Sequence, residues 1–307
     1  MAEAGNGQRE LFAETVRPGG GEASPQELFD EQGRSRGYYS PNNRLNDLTG
    51  REWLYWTRSV INRPYPANCQ HALRRAHGGQ KPPDLCADLI RVFSKRGQRV
   101  LDPFMGVGGV LLGAAQAGRI AVGVEINPRW IEIYREVCRR EGIREMATRV
   151  GDAGTVLEQI AGPFDLVLTD VPYWNMDVAR RSKGRYKRVG ERARPVPSTR
   201  LGEFGSASGY PDKATWLAAM EQVFRLAAAR LKSGGYLLSF IGDMYTDGAY
   251  HALSAELAAV LGSIEPLAWQ ANLIWYDVSK KLHIYGYRYR YIPSLVHQNV
   301  LVFRKQQ

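Results

Sequence analysis

Short apolar segments alternate with longer amphipathic segments along most of the chain. The apolar segments predict seven strands, at residues 99–102, 120–125, a segment that ends at residue 150, 164–168, 236–241, 273–276 and 300–303. Between them, apolar residues recur at helical spacing and predict helices at residues 53–60, 85–93, 110–117, 130–134, 216–229 and 249–261. Strands that alternate with helices in this way predict an α/β fold with a doubly wound, mostly parallel sheet.

Polar residues mark where some of these elements begin and end. Thr49 and Glu52 have the spacing of a capping box, which predicts a helix start. Residues 231–235 end in two glycines and predict a turn that terminates the 216–229 helix. Residues 282–292 interleave tyrosine with arginine, which predicts either a hairpin at the sheet edge or a surface on which bases stack.

Four acidic residues lie at or just after the ends of the first four predicted strands, namely Asp102, Glu125, Asp152 and Asp170. The carboxyl ends of parallel strands meet at one edge of a sheet, where ligands bind. Glu125 follows a glycine-containing turn by about twenty residues, the spacing at which a carboxylate holds a ribose diol, and Asn127 lies beside it. The pattern therefore predicts a ligand cleft at this edge.

The glycine-containing turn follows Asp102 and precedes a predicted helix. Gly106 and Gly108 would let a ligand approach the backbone with the helix N-terminus behind it. The alternative is a structural strand–turn–helix without a ligand.

The fourth predicted strand ends in the sequence Asp170-Val171-Pro172-Tyr173-Trp174. Pro172 restricts Val171 to an extended conformation and so fixes where the Val171 carbonyl points. The Asp170 carboxylate and this carbonyl are acceptors beside the flat ring of Tyr173, which suits the exocyclic amine of a stacked nucleobase. The alternative is a strand-end turn with a buried tyrosine.

These two segments resemble a known family. Asp170-Val171-Pro172-Tyr173 is similar to the Asp/Ser/Asn-Pro-Pro-Tyr motif of the DNA amino-methyltransferases, which act on adenine N6 or cytosine N4, with Val171 in place of the first proline. The turn from Asp102 to Gly109 resembles that family's S-adenosylmethionine loop, Asp-Pro-Phe-x-Gly-Ser-Gly-Thr, with Val107 and Gly109 in place of the serine and threonine.

The resemblance implies a Rossmann-like, S-adenosylmethionine-dependent methyltransferase sheet with an antiparallel edge hairpin. It implies S-adenosylmethionine as cofactor, with Asp152 near its adenine and residues 81–83 near its methionine end, where an ordinary packing helix is the alternative. The cofactor-binding residues it implies are Asp102, Pro103, Phe104, Gly106, Gly108, Glu125, Asn127 and Asp152. The catalytic residues it implies are Asp170, Val171, Pro172 and Tyr173.

The resemblance also implies a reaction. An aspartate at the first motif position favours adenine N6 in DNA, and cytosine N4 is the alternative. An RNA base methyltransferase and a catalytically inactive nucleic-acid-binding protein are further alternatives. DNA is the expected partner, and a companion restriction endonuclease is a second partner that the family allows.

Charge supports a polyanionic partner. Lys and Arg number 41 against 31 Asp and Glu, which gives a formal net charge of +10. A strongly basic stretch at about 175–212 follows the catalytic turn and predicts a mobile, DNA-contacting insertion. The residues expected to contact DNA are Trp174, Arg180, Arg181, Arg185, Lys187 and Arg188.

The remaining composition bounds the class of protein. Residues 1–40 are rich in Gly, Glu, Ser and Gln and predict a disordered leader, which leaves a methyltransferase domain at 41–307. Three cysteines in no paired pattern predict a reducing compartment, and we expect a cytoplasmic protein without a metal site. No apolar run is long enough to span a bilayer, so no membrane partner is expected.

Overall fold

The computed structural model describes residues 24–174, 210–246, 248–282 and 284–307. The chain divides into two compact units, the first ending at Arg58 and the second beginning at Ser59. This division lies C-terminal to the domain start predicted at residue 41.

In the first unit, strands β1 (Gln26–Phe29) and β2 (Ser35–Tyr39) form an antiparallel hairpin. The Asp30 carboxylate accepts from the backbone N–H groups of residues 32 and 34 and so closes its turn. The predicted disordered leader is therefore wrong for residues 26–39, since paired backbone and a closed turn order a segment with few apolar side chains. Residues 1–23 lie outside the described part of the chain.

Helix α1 (Gly50–Trp56) completes this unit and begins at the predicted capping box. The backbone N–H of Glu52 donates to the Thr49 hydroxyl at 3.4 Å, and the Thr49 N–H donates to the Glu52 carboxylate at 2.9 Å. Glu52 also pairs with Arg36 of β2 at 2.9 Å, which ties the helix to the hairpin.

An eight-stranded sheet forms the centre of the second unit. Its strands are β3 (Val60–Ile61), β4 (Arg99–Asp102), β5 (Ile120–Glu125), β6 (Ala147–Val150), β7 (Phe164–Asp170), β8 (Leu231–Ile241), β11 (Leu267–Tyr276) and β12 (His297–Lys305). Across the sheet they follow the order β3-β11-β12-β8-β7-β4-β5-β6. All neighbouring strands are parallel except β12, which is antiparallel to both β8 and β11. The predicted α/β sheet, mostly parallel with a reversed hairpin, is confirmed.

Helices connect the strands of this sheet. They are α2 (His71–Arg74), α3 (Pro83–Phe93), α4 (Gly109–Gln116), α5 (Pro128–Glu141), α6 (Ala153–Val156), α7 (Lys213–Arg230) and α8 (Leu253–Gly262). A separate small hairpin, β9 (Met244–Thr246) and β10 (Ala249–His251), follows β8.

Side chains that alternate along the strands divide the core between the two faces of the sheet. On one face, Val167 and Leu237 pack with Trp216 and Phe224 of α7 and with Leu257 of α8. The alternate residues of β7 are equally buried, and α3 packs against this strand. Burial on both faces explains why β7 reads as a continuous apolar run.

Several element boundaries differ from the sequence-based prediction, and the helix predicted at residues 53–60 ends at Trp56, with Val60 in strand β3. Residues 231–235 do not form a helix-terminating turn, because the buried Leu231 is already extended and pairs with Phe164 of β7. The helix predicted from residue 249 begins at Leu253, because residues 249–251 pair with β9.

Three further findings concern the described residues alone. The three cysteines are free and buried. No cluster of three or more His, Cys, Asp or Glu side chains in this part of the chain could hold a metal ion. No helix here is long and apolar enough to cross a membrane.

Candidate active site

The glycine turn after β4 and the Asp170 turn after β7 lie side by side. β4 pairs directly with β7 through Val100–Leu166 and Leu101–Val167, so the two turns leave the same edge of the sheet from adjacent strands. Asp102, Gly106 and Asp170 line one cavity. The two segments that the sequence singled out for separate reasons therefore share one cleft.

The backbone of the glycine turn requires glycine at two positions. Gly106 and Gly108 have φ values of +49° and +78°, in the left-handed region. A Cβ on Gly108 would lie 2.2 Å from Cδ2 of the buried Tyr134, and one on Gly106 would lie 2.9 Å from Nε2 of His77. Tyr134 therefore packs against the turn at Gly108. The turn itself places no side chain in the space between Gly106 and His77.

Glu125 at the end of β5 holds this turn in place. Its Oε2 accepts from the Gly106 N–H at 2.8 Å, and its Oε1 accepts from the Asn127 N–H at 2.9 Å. The carboxylate is buried, and burial raises its pKa. Two carboxylate oxygens offer about four lone pairs, so acceptor capacity remains for hydroxyl groups of a ligand.

Asp102 is buried beneath the turn. Its Oδ1 accepts from the Thr169 hydroxyl at 2.6 Å and from the Phe104 N–H at 3.1 Å. Burial raises the pKa of Asp102 to about 7, although these two hydrogen bonds oppose the shift. Asp102 therefore links β4 to β7 and shapes the turn from below.

The raised pKa of Asp102 predicts how folding stability depends on pH. A folded-state pKa of about 7, against an ordinary value of 3.8, means that the folded protein keeps a proton that the unfolded chain releases. The stability of the wild type should fall as pH rises from about 5 to 8, by roughly 3 kcal/mol from this group. Asp102→Asn cannot ionise and should lack this dependence. Urea unfolding measures the free energy of unfolding of both proteins at the two pH values. If wild type and Asp102→Asn differ in this free energy by the same amount at both pH values, the assignment is contradicted.

Asp170 is held by two donors, a nearby tyrosine and a lysine from a distant part of the chain. The Lys81 ammonium pairs with its Oδ2, and the Tyr173 hydroxyl donates to its Oδ1 at 3.3 Å. The Tyr173 oxygen in turn accepts from Nε2 of Gln298 on β12 at 2.5 Å. Burial raises the pKa of Asp170, while the Lys81 charge lowers it, so Lys81 favours the carboxylate form.

The Lys81 side chain is only 6% exposed, and its backbone is also fixed. The Arg74 guanidinium donates to the Lys81 carbonyl at 2.5 Å, and a Cβ on Gly109 would lie 2.9 Å from that oxygen. Lys81 therefore connects the approach to α3, the start of α4 and the turn at Asp170. The sequence placed residues 81–83 near the cofactor but gave no sign of the contact with Asp170, because 89 residues separate the partners.

Packing holds the turn that lacks the usual first proline. Val171 is 3% exposed and belongs to the core beneath α7. The indole N–H of Trp216 donates to the Pro172 carbonyl at 2.7 Å. A buried side chain and a hydrogen bond from α7 therefore fix Val171 and Pro172, the two residues that follow Asp170.

His77 lies in the same cleft and was missed by the sequence analysis. Its ring is edge-on to Trp130, with centroids 5.1 Å apart, and it faces the space at Gly106. Burial lowers the pKa of His77 to about 4, so the imidazole is neutral near pH 7. A lone histidine after a short helix carries no motif, which is why the sequence gave no signal for it.

The other predicted site residues occupy different positions around the edge. Pro103 and Phe104 lie within the glycine turn, and Asp152 precedes the short helix α6 at the end of β6. Trp174 packs edge-on against His251 of β10, with centroids 5.1 Å apart. The predicted DNA-contacting residues Arg180, Arg181, Arg185, Lys187 and Arg188 lie outside the described residues.

A second cavity of about 370 Å³ adjoins this cleft. Gln80 and Lys81 line both cavities. Tyr65, Trp275 and Asp277 also line the second cavity. Gln80 and Lys81 therefore border both the Asp170 cleft and a cavity at the end of β11.

The polar groups of the cleft fit S-adenosylmethionine. Glycine at position 106 leaves the backbone there without a side chain, beside the His77 ring, and the remaining acceptor capacity of Glu125 suits ribose hydroxyls. Asp102 to Gly108, Glu125, Asn127 and Asp152 would hold the cofactor, at the ends of three neighbouring strands.

Comparison with known proteins gives one family match. Residues 30–136 match the model of a family described as DNA methylase. A tRNA (guanine(10)-N2)-dimethyltransferase of Pyrococcus abyssi is 30% identical over 93 residues, which are 30% of this chain and 28% of that protein. The same enzyme of Methanothermobacter thermautotrophicus is 33% identical over 96 residues, 31% of this chain and 28% of that protein.

The type II methyltransferase M.HpaI of Haemophilus parainfluenzae is 36% identical over 63 residues, 20% of each chain. These alignments therefore span less than a third of each curated relative. Among solved structures, TrmN from Thermus thermophilus is similar, with a TM-score of 0.49 and 18% identity over 76% of this chain and 51% of that one. A putative rRNA methylase from Clostridium thermocellum has a TM-score of 0.43 and 14% identity over 72% of this chain and 95% of that one.

The family match covers Asp102, Gly106 and Glu125 and the strands β4 and β5, and it ends before Asp170. It implies S-adenosylmethionine as the cofactor, in agreement with the polar groups of the cleft. Residues 30–136, about a third of the chain, thus match the DNA methylase family model.

Proposed function

We propose that this protein transfers a methyl group from S-adenosylmethionine to the exocyclic amine of a base in nucleic acid, with adenine N6 in DNA as the favoured target. The observation that carries the proposal is the shared cleft of Asp170 and the glycine turn. A carboxylate acceptor lies there beside the turn that fits the cofactor, on the adjacent strand of the same sheet. When bound, S-adenosylmethionine supplies an electrophilic methyl group on its sulfonium.

The residues of the turn act on the amine of the target base. That amine is a poor nucleophile, because its lone pair is delocalised into the ring. The Asp170 carboxylate and the Val171 carbonyl accept hydrogen bonds from its two N–H groups. These hydrogen bonds favour tetrahedral geometry at the nitrogen and free the lone pair. The Tyr173 ring supports the base by stacking, and its hydroxyl remains protonated because burial and Asp170 raise its pKa. The target base leaves the duplex to reach this turn.

Lys81 has a defined part in this proposal. Asp170 accepts hydrogen bonds most strongly as a carboxylate, because protonation would turn one of its oxygens into a donor, and burial alone would favour its neutral form. The Lys81 charge offsets that burial and fixes one carboxylate oxygen. Lys81 thus acts on the base through Asp170, as a positioning residue.

Replacing Lys81 with methionine should move the acid limb of the pH–rate profile. Loss of the neighbouring positive charge raises the pKa of Asp170, so the acid limb should lie at a higher pH than in the wild type. Lys81→Arg keeps the charge and should keep the limb near its wild-type position. Single-turnover rates at saturating S-adenosylmethionine, from pH 5 to 9, give the comparison. A limb at the same pH in Lys81→Met and wild type would show that Lys81 does not control Asp170.

A second candidate is an RNA base methyltransferase acting on guanine N2. It is favoured by the similarity to two archaeal tRNA (guanine(10)-N2)-dimethyltransferases. Cytosine N4 in DNA is the nearest variant of the favoured proposal, since the same acceptors suit that amine. The exocyclic amines of adenine, cytosine and guanine differ in their position on the ring, but each needs the same hydrogen-bond acceptors.

Incubation with methyl-labelled S-adenosylmethionine and equal amounts of duplex DNA and tRNA tests these proposals. We expect label in DNA, recovered as N6-methyl-2′-deoxyadenosine after digestion to deoxynucleosides. Label in tRNA as N2-methylguanosine would select the second candidate. Label in neither nucleic acid, together with saturable cofactor binding, would indicate an inactive nucleic-acid-binding protein.

A further inference from the structure

The segment that joins β11 to β12 exposes an unusual amount of aromatic surface. Tyr287, Tyr289 and Tyr291 are 57%, 90% and 86% exposed, and the preceding Leu282 and Ile284 are 78% and 68% exposed. Contiguous exposed apolar side chains of this kind mark binding surfaces in soluble proteins. Residues 282–292, with residue 283 outside the described part, are called the Tyr–Arg segment below.

Local contacts give the Tyr–Arg segment a defined shape. The N–H groups of Tyr289 and Arg290 both donate to the Gly286 carbonyl at 3.0 Å, and Tyr285 pairs with Ile292 across the base of the turn. Gly286 has a φ of +65°, and a Cβ there would lie 2.4 Å from the Arg290 carbonyl oxygen. The tyrosines therefore project from a closed turn.

Cations accompany these rings. Residues 277–292 contain four basic residues, Lys280, Lys281, Arg288 and Arg290, against one acidic residue, Asp277. The Asp277 carboxylate is already bonded to the backbone and hydroxyl of Ser279, at 3.0 and 2.6 Å. The Arg288 guanidinium lies 5.6 Å from the centroid of the Tyr287 ring. Flat rings and cations alternate on one exposed turn.

The same connection begins at a cavity next to the candidate active site. Asp277, Val278 and Ser279 at its start line the 370 Å³ cavity together with Lys81, which also lines the Asp170 cleft. Lys81 is therefore common to the cavity at the start of this connection and to the cleft proposed to receive a base.

From this placement we infer that the Tyr–Arg segment binds unpaired bases of a nucleic-acid strand beside the target base, with Tyr289 and Tyr291 stacking on them and Arg288 and Arg290 contacting phosphates. The inference rests on the proposed function for the identity of the strand. Aromatic stacking tolerates any base, and the accompanying arginines match the charge of the backbone. A protein partner would not by itself account for the two arginines, whereas a nucleic-acid backbone supplies the negative charge that they match.

Fluorescence anisotropy with a labelled DNA duplex that contains a short unpaired bubble tests the inference. Tyr289→Ala and Tyr291→Ala should each weaken bubble binding by roughly 10-fold, since stacking contributes on that order per base. The corresponding phenylalanine variants keep the ring and should bind as the wild type does. Both tyrosines are highly exposed, so their replacement should leave the fold intact. Trp269→Ala, which removes a 52%-exposed ring at the opposite end of β11, is the matched control and should have no effect.

Salt dependence separates the arginines from the tyrosines. Arg288→Gln and Arg290→Gln should each reduce the slope of log affinity against log salt by about 1, whereas the tyrosine variants should leave that slope unchanged. Alanine variants of the tyrosines that bind the bubble as tightly as the wild type would overturn the inference. So would a change of oligomeric state with unchanged DNA binding, which would assign the surface to self-association.

A parallel methyl-transfer assay distinguishes failure of this inference from failure of the proposed function. If the wild type methylates no nucleic acid but its binding depends on the tyrosines, the proposed methyltransferase function is refuted and the role of the Tyr–Arg segment in binding is supported. Methylation with binding that does not depend on the tyrosines would refute the surface alone. A wild type that binds neither the bubble nor the paired duplex would refute the surface as well.

Discussion

Asp170→Ala is expected to reduce methyl transfer by roughly 10²- to 10³-fold or more while cofactor affinity stays within several-fold of the wild type. In the proposed function the Asp170 carboxylate accepts from the target amine, whereas the residues proposed to hold the cofactor lie at or just after the ends of β4, β5 and β6. Single-turnover transfer of labelled methyl and calorimetric titration with S-adenosylmethionine give the two numbers. Activity that survives in Asp170→Ala would refute the role of Asp170.

This variant leaves the Lys81 charge buried without its partner, which can itself destabilise the fold by about 3–5 kcal/mol. The double variant Asp170→Ala/Lys81→Met removes both charges and should recover stability without recovering activity. Asp243→Ala is the matched control, since Asp243 follows β8 at the same edge but is bonded to Tyr250 and to the N–H of Ser254. It should retain methyl transfer.

Gly108→Ala is expected to eliminate measurable cofactor binding and to lower the free energy of unfolding by several kcal/mol. The added Cβ would lie 2.2 Å from Tyr134, which is fully buried and cannot move aside without opening the core. The left-handed φ of +78° adds about 1–2 kcal/mol for any residue with a Cβ. Urea unfolding and calorimetric titration with S-adenosylmethionine measure both effects.

Gly97→Ala separates the steric clash from the backbone cost. Gly97 has a φ of +79°, and a Cβ there would meet no atom within 4 Å. It should therefore show only the backbone cost of about 1–2 kcal/mol and normal cofactor binding. Equal losses of stability in the two variants would show that Tyr134 does not support the turn.

Local signals predicted much of the fold. The apolar segments at 99–102, 120–125 and 164–168 became neighbouring parallel strands, and the Thr49–Glu52 capping box formed as expected. Strand ends could be located from sequence because Asp102, Glu125 and Asp170 interrupt apolar runs. A parallel sheet then brings such positions to one edge without further information.

The features that sequence could not supply depend on distant pairing. Lys81 meets Asp170 across 89 residues, and Gln298 meets Tyr173 across 125. The two-residue strand β3 exists only because β11 offers it an edge. Leu231 is extended because it pairs with Phe164, although glycines nearby suggested a turn. In each case the partner, and not the local composition, decides the structure.

Val171 shows how a departure from a motif can be accommodated. Sequence indicated a turn with one proline fewer than usual in the family it resembles. The structure instead holds the turn by burial of Val171 and by the hydrogen bond from Trp216 to Pro172. Both supports come from the core beneath α7, which follows the catalytic turn by about forty residues.

A crystal structure of the protein with S-adenosylmethionine bound tests whether the glycine turn and Asp170 form one methyl-transfer site. We expect the ribose at Glu125, the backbone of Gly106 against the cofactor, and the methyl group directed toward Asp170. Cofactor bound elsewhere, or bound with its methyl group directed away from Asp170, would contradict it.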